Sequence, residues 1–320
     1  MGRVAGPRGD DALQQDAAGA LRHLLTLDGL PRPLLEDLLR RAAAFAAAPT
    51  ARQTTLAGRS VANLFFEPST RTRASFELAA QRLGANTLNL EADRSSAVKG
   101  ETLEDTLRNL QAMGVDAFVV RHSEPGVHAR LARVARPGVA IVNAGEANVS
   151  HPTQGLLDVL TIRAHKGEDL GRLTVAICGD IVHSRVAASA AAALTTLGVG
   201  ELRFVAPAEF LPPPAPTHRS FADLDAGVVG CDVIMMLRIQ RERFATNQAP
   251  DDAEYHRRHG LTAARLARAK PDCIVMHPGP VNRGVELASE VMDGPRSVIL
   301  QQVANGVAVR MAVLEALLAR

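Results

Sequence analysis

Residues 65–85 read FFEPSTRTRASFELAAQRLGA, an apolar strand end broken at Pro68 and followed by Ser69, Thr70, Arg71 and Thr72. These residues open a helix. A helix N-terminus presents unpaired N–H groups and the positive end of the dipole, so an anion is stabilised there. Taken alone, the segment also fits plain N-capping by Ser69 or Thr70 beside two surface arginines. That simpler reading leaves Arg71 and Arg73 at the end of a helix where cations are disfavoured, and an anionic ligand resolves the conflict.

Other groups with chemical potential fall at comparable places. Arg121 sits at the carboxyl end of the predicted strand in FVVRHSE, and open parallel sheets bind ligands outside those ends. His151 precedes Pro152, a favoured first helical residue, with Gln154 in the first turn. A lone histidine at such a place is ordinarily structural. Ser95 and Lys99 lie in the polar stretch DRSSAVKGETLEDT, which by composition alone is a solvated loop. Gly179 and Asp180 follow a buried strand but lack the GxGxxG spacing of a dinucleotide turn, and Arg185 enters the next helix. Arg238 and Gln240 end the strand DVIMML, in a charged stretch that solvation also explains. The strand CIVMH ends in HPGPVNRGVE, where a turn at Gly279 and Pro280 brings backbone carbonyls within reach of a ligand, while His277 is read as structural.

Positioning these groups requires alternating strands and helices. Apolar spacing predicts helices over 33–48, 72–83, 101–113, 125–135, 152–165, 184–197 and 301–318. Short apolar runs predict strands over 61–66, 87–91, 116–120, 139–142, 173–178, 202–206, 232–237 and 273–277. The run LPPPAP at 211–216 is a loop, because successive prolines cannot donate ladder bonds. The expected fold is α/β, with two doubly wound parallel-sheet domains and an interdomain active-site cleft. Residues 1–20 are expected to be a disordered tail, 21–150 the first domain, completed by a C-terminal helix at 301–320, and 151–300 the second.

Composition narrows the function classes. The chain has 320 residues, a net charge of +2 and 47% apolar residues, so no global basic charge argues for nucleic acid. Lysine occurs only at 99, 166 and 270, so anion contacts fall mainly to arginine, whose guanidinium can grip a carboxylate or phosphate with two parallel bonds. Cys178, Cys231 and Cys273 sit in separate apolar runs without a CxxC pair and are expected as buried thiols. No metal ligand set is indicated: His256 and His259 lack a third ligand. No apolar stretch suits a membrane span and the N-terminus lacks a signal core, which together suggest a cytoplasmic protein.

The SxRTR pattern after a strand resembles the carbamoyl-phosphate signature of the aspartate/ornithine carbamoyltransferase family. Six further segments fit that family in order over roughly residues 20–318. The resemblance implies that Ser69, Thr70, Arg71 and Thr72 bind the phosphate of carbamoyl phosphate. It implies that Arg121 touches its carbonyl oxygen and phosphate, and that Gln154 holds the carbamoyl amide. His151, with Arg121 and Thr72, would stabilise the oxyanion of a tetrahedral intermediate. Gly279 and Pro280 would accept from the carbamoyl NH₂ and the attacking amine. The SSxxKGE segment resembles a mobile loop sent into a neighbouring subunit's site, so Ser95 would contact phosphate and Lys99 both phosphate and the acceptor carboxylate. This implies a homotrimer with shared sites.

Arg185 would clamp the α-carboxylate of L-aspartate, and Arg238, positioned by Gln240, its side-chain carboxylate. Within the family, HPTQ at 151–154 in place of HPCQ, and the absence of an HCLP motif near 277, favour aspartate over ornithine. The implied product is N-carbamoyl-L-aspartate. No cofactor, nucleic acid or membrane partner is implied, and regulatory or dihydroorotase-like subunits are possible associates.

Overall fold

A computed structural model describes residues 11–91, 101–239 and 251–319. The chain divides into two compact units: residues 1–156 with 305–320, and residues 157–304. The divisions fall inside two helices rather than at 150 and 301.

Unit 1 begins with α1 (Asp11–Gln14), α2 (Arg32–Ala47), β1 (Ser60–Phe65), α3 (Thr70–Arg82) and β2 (Asn86–Glu91). It continues with α4 (Leu103–Ala112), β3 (Ala117–His122), α5 (Val127–Val134), β4 (Ala140–Glu146) and the first turn of α6 (Pro152–Lys166). Its four strands pair in parallel in the order β2-β1-β3-β4. β1 and β4 are apolar or buried along almost their whole length, as strands covered on both faces must be. Phe118, Val120, Leu131 and Ile141 form the centre of a buried cluster between this sheet and its helices.

Residues 11–20 correct the expected disordered tail. Gln14 is fully buried, and its side-chain oxygen accepts from the backbone N–H groups of Leu25 and Thr26 at 2.7 and 2.9 Å. Leu24 then pairs with β4 through a bridge to Val142. A polar side chain that serves buried backbone donors is invisible to a hydropathy reading, which is why the segment looked solvated. Residues 1–10 lie outside the described residues.

Unit 2 contains β5 (Thr174–Cys178), α7 (Arg185–Thr196), β6 (Glu201–Val205), β7 (Arg219–Phe221), α8 (Leu224–Gly227) and β8 (Val233–Met236). There follow α9 (Asp252–His259), α10 (Ala263–Leu266), β9 (Ile274–Met276), α11 (Ser289–Met292) and α12 (Ile299–Leu318), whose later turns belong to unit 1. The strands are again all parallel, in the order β7-β6-β5-β8-β9. Cys178, Cys231 and Cys273 lie in one buried cluster with Ile234 and Val275. Burial raises all three thiols, Cys231 to about 11 and Cys273 to about 12. No described helix is long and apolar enough to cross a membrane.

Both strand orders reverse direction once. In unit 1 the chain moves from β1 to β2 on one side and resumes at β3 on the other. In unit 2 it moves from β5 through β6 to β7 and resumes at β8. Crevices at such reversals, outside the carboxyl ends of the strands, are where open α/β sheets bind ligands.

Candidate functional site

In unit 1 the reversal lies between β1 and β3. Ser69 is the N-cap residue of α3, yet its hydroxyl makes no capping bond, and the first turn contains no acidic residue. The hydroxyl is therefore not committed to the capping role that the simpler reading gave it. Thr72 is buried while Arg71 is exposed, so this helix end carries donors at its surface.

Arg121 occupies the carboxyl end of β3, opposite Phe65 in register. It ties three stretches together. Its carbonyl accepts from the N–H of Phe66 at 2.9 Å, its Nε lies 3.3 Å from the Glu67 carboxylate, and its Nη1 donates to the carbonyl of Ala144. Glu67 is a group the sequence reading passed over; the signal was a lone carboxylate directly before a cluster of hydroxyls and guanidinium groups. The β3–β4 ladder shifts register between Val120 and His122. Such irregularities re-aim side chains at strand ends.

His151 and Gln154 are both buried at the start of α6, the first helix after β4. The loop that delivers them is tightly fixed. The N–H of Ala147 donates to the carbonyl of His122, and Glu146 and Ser150 exchange backbone bonds. Ala147 adopts φ +43, alone among non-glycine described residues in having positive φ. Unit 1 thus brings Ser69–Thr72, Arg121, His151 and Gln154 to the carboxyl ends of β1, β3 and β4.

In unit 2 the reversal lies between β5 and β8. Arg185 is the first residue of α7, which Ser184 caps by accepting from the N–H of Ala187. Arg238 follows β8 by two residues. The two strand ends touch where the N–H of Leu237 donates to the carbonyl of Cys178 at 2.7 Å. Gly179, at φ +122, makes this approach possible, because a Cβ there would lie 2.7 Å from the carbonyl oxygen of Leu237. In the same loop the fully buried Asp180 accepts from the ring and backbone of His183, at 2.8 and 3.3 Å.

Gly279 and Pro280 follow β9, beside β8, and are joined by a cis peptide bond. The turn rests on His277, whose Nδ1 accepts from the N–H of Gly279 at 2.8 Å and whose Nε2 faces Glu286 Oε1 at 3.2 Å. Unit 2 thus collects Arg185, Arg238, Gly279 and Pro280 at the carboxyl ends of β5, β8 and β9. Ser95, Lys99 and Gln240 lie outside the described residues. Among the described residues, no cluster of three or more His, Cys, Asp or Glu side chains could hold a metal ion.

Each unit therefore places cationic and polar donors at the carboxyl ends of its strands, one set at a helix N-terminus and one with two arginines. Residues 22–164 match the family model described as aspartate/ornithine carbamoyltransferase, carbamoyl-P binding domain, and residues 172–317 match its Asp/Orn binding domain. The chain is 56% identical over 313 residues to the aspartate carbamoyltransferase catalytic subunit of Stenotrophomonas maltophilia, covering 96% of this chain and 99% of that one. It is equally similar to the corresponding subunit of Xanthomonas campestris, over 311 residues with the same coverage. Among solved structures, aspartate transcarbamoylase from Trypanosoma cruzi in complex with carbamoyl phosphate and aspartate superimposes with a TM-score of 0.83. That match has 31% identity and covers 96% of this chain and 99% of that one. Ornithine carbamoyltransferase from Thermus thermophilus gives a TM-score of 0.81 at 26% identity, covering 92% and 98%.

Proposed function

The chain belongs to the aspartate/ornithine carbamoyltransferase family, and from that premise we propose that it transfers the carbamoyl group of carbamoyl phosphate to the amino group of L-aspartate. The products are N-carbamoyl-L-aspartate, a pyrimidine precursor, and phosphate. The single observation that carries the reading at residue level is the placement of the expected anion-binding groups at the strand-order reversal of each sheet.

In this reading unit 1 binds carbamoyl phosphate and unit 2 binds aspartate. Ser69, Thr70, Arg71 and Thr72 receive the phosphate on the N-terminus of α3, where dipole and guanidinium charge act together. Arg121, His151 and Thr72 donate to the carbamoyl oxygen, and Gln154 holds the amide with Gly279 and Pro280. Arg185 and Arg238 take the two carboxylates of aspartate, with Gln240 orienting Arg238. Ser95 and Lys99 complete the phosphate contacts, Lys99 also meeting the acceptor.

The amine of aspartate attacks the carbamoyl carbon, a C–N bond forms, and the carbonyl oxygen becomes an oxyanion held by those donors. The C–O bond to phosphate then breaks. The phosphate leaves with the proton lost by the amine, departing as the hydrogen phosphate dianion, so no dedicated protein base is needed. Alignment of the two bound substrates supplies much of the rate. The reading requires no cofactor. It includes a cytoplasmic homotrimer with shared sites, with regulatory or dihydroorotase-like subunits as possible associates.

The test is a colorimetric ureido-product assay on the purified chain with aspartate, ornithine and N-acetylornithine, alongside light scattering for the trimer. Turnover is expected with aspartate, and turnover confined to ornithine removes the acceptor assignment. Gly179→Ala probes the acceptor side. Strain at this position is expected to cost about 1–3 kcal/mol. The displaced end of β8 is expected to raise the aspartate KM about tenfold, because sub-ångström misplacement weakens alignment steeply. An unchanged aspartate KM would show that the Leu237–Arg238 stretch does not depend on this close approach.

A further inference from the structure

Beneath the end of β3 lies a buried pair that the mechanism above does not use. His128, in the first turn of α5, is fully buried, and Glu146, at the end of β4, is 7% exposed. They come from positions 18 residues apart, brought together because β3 and β4 are neighbours with α5 between them in sequence.

Their hydrogen-bond roles follow from donor and acceptor accounting. His128 Nε2 lies 2.8 Å from the carbonyl oxygen of Val120. A carbonyl only accepts, so Nε2 carries a proton. His128 Nδ1 lies 3.2 Å from Glu146 Oε2. Glu146 Oε1 accepts from the N–H of Gly126 at 2.5 Å, and Oε2 accepts from Asn143 Nδ2 at 3.1 Å. Burial acts to raise the Glu146 carboxyl, but the contacts from His128, Gly126 and Asn143 outweigh it and hold the group below the usual carboxylate range. Each member of the pair therefore also holds backbone, His128 the carbonyl of Val120 and Glu146 the N–H of Gly126.

The contacts of this pair reach both stretches that carry carbonyl-directed donors. Val120, held by His128, is the residue before Arg121, at the point where the β3–β4 register shifts. Glu146 starts the loop that ends at His151, and through Gly126 it also fixes the left-handed N-cap of α5. Asn143 extends the same network to the backbone of Leu25 and of Gly145.

We propose that the His128–Glu146 pair is a positioning device for the reaction, setting Arg121 and the loop to His151 relative to each other. The inference rests on the function proposed above. Neither residue touches substrate in this reading; both act through the groups they hold.

The experiment compares the full-length parent with Glu146→Gln and His128→Gln, chosen because glutamine retains hydrogen-bonding capacity. Both variants are expected to lower kcat by about tenfold or more and to raise the KM for carbamoyl phosphate, since misplacement by an ångström can cost about 100-fold. The aspartate KM should stay near the parental value. A rise in one KM alone cannot come from loss of folded enzyme. The double variant should be less impaired than the two single effects multiplied. Nitrogen-15 NMR of the parent should show a proton on Nε2 of His128, a readout that survives if a variant does not fold. Single variants with parental kcat and carbamoyl phosphate KM, or a His128 ring without a proton on Nε2, would overturn the proposal. A parent that makes no ureido product from aspartate would instead remove the functional reading itself.

Discussion

Replacing His151 with alanine is expected to lower kcat about 100-fold, the effect of losing roughly 3 kcal/mol of oxyanion stabilisation. His151 is buried at the head of α6, and the bonds of Ala147 to His122 and of Glu146 to Ser150 fix the loop before it. A donor held this way requires little reorganisation when charge develops on the carbamoyl oxygen. Its contribution should therefore appear mainly in kcat and only weakly in the KM for either substrate. Steady-state kinetics over both substrates, with a melting curve to confirm folding, separates these quantities. A folded His151→Ala enzyme with parental kcat would exclude the histidine from the chemical step.

The second large effect concerns stability. Glu286 and His277 are both fully buried in unit 2. Glu286 Oε1 accepts from the N–H of Asn282 at 2.6 Å and faces His277 Nε2 at 3.2 Å. Because His277 Nδ1 accepts from Gly279, the ring proton available to Glu286 is on Nε2. Glu286→Ala removes the acceptor at once from the fully buried His277 Nε2 and from the half-buried N–H of Asn282. Each orphaned donor costs about 1–3 kcal/mol, so the loss should reach roughly 3–5 kcal/mol. For a unit of this size that corresponds to a fall in Tm of roughly 10 °C. Calorimetry on parent and variant measures it. A shift of only a degree or so would mean that water or a neighbouring group takes over the acceptor role.

Much of the architecture was legible because its strands are chemically simple. VANLFF announced β1 as an apolar run too short for a helix, and VAIC and VIMM did the same for β5 and β8. β7 escaped notice because it is three residues long, RSF, largely exposed and paired with β6 alone. It therefore has neither an apolar run nor clear alternation. The four-residue helices α8, α10 and α11 complete barely one turn, so no spacing pattern can reveal them.

The proposed site was signalled in a different way. Arg71 and Arg73 at the start of α3 oppose the helix dipole, and such a local conflict marks function. The supporting groups gave no comparable signal. His128 and Glu146, or His277 and Glu286, are ordinary residues in the linear chain. Only the winding of the sheet, or a turn after its last strand, makes each pair meet in a dry interior where it governs neighbouring backbone.

The split composition of unit 1 has a consequence for biosynthesis. The helix that completes it contributes Arg310, stacked over the Phe76 ring at 5.0 Å, and the buried Leu314. These residues leave the ribosome only after all of unit 2 has been made. The part of the chain translated first is therefore the part finished last, and a nascent chain or a C-terminal deletion lacks a wall of unit 1 while the sheet of unit 2 is already whole.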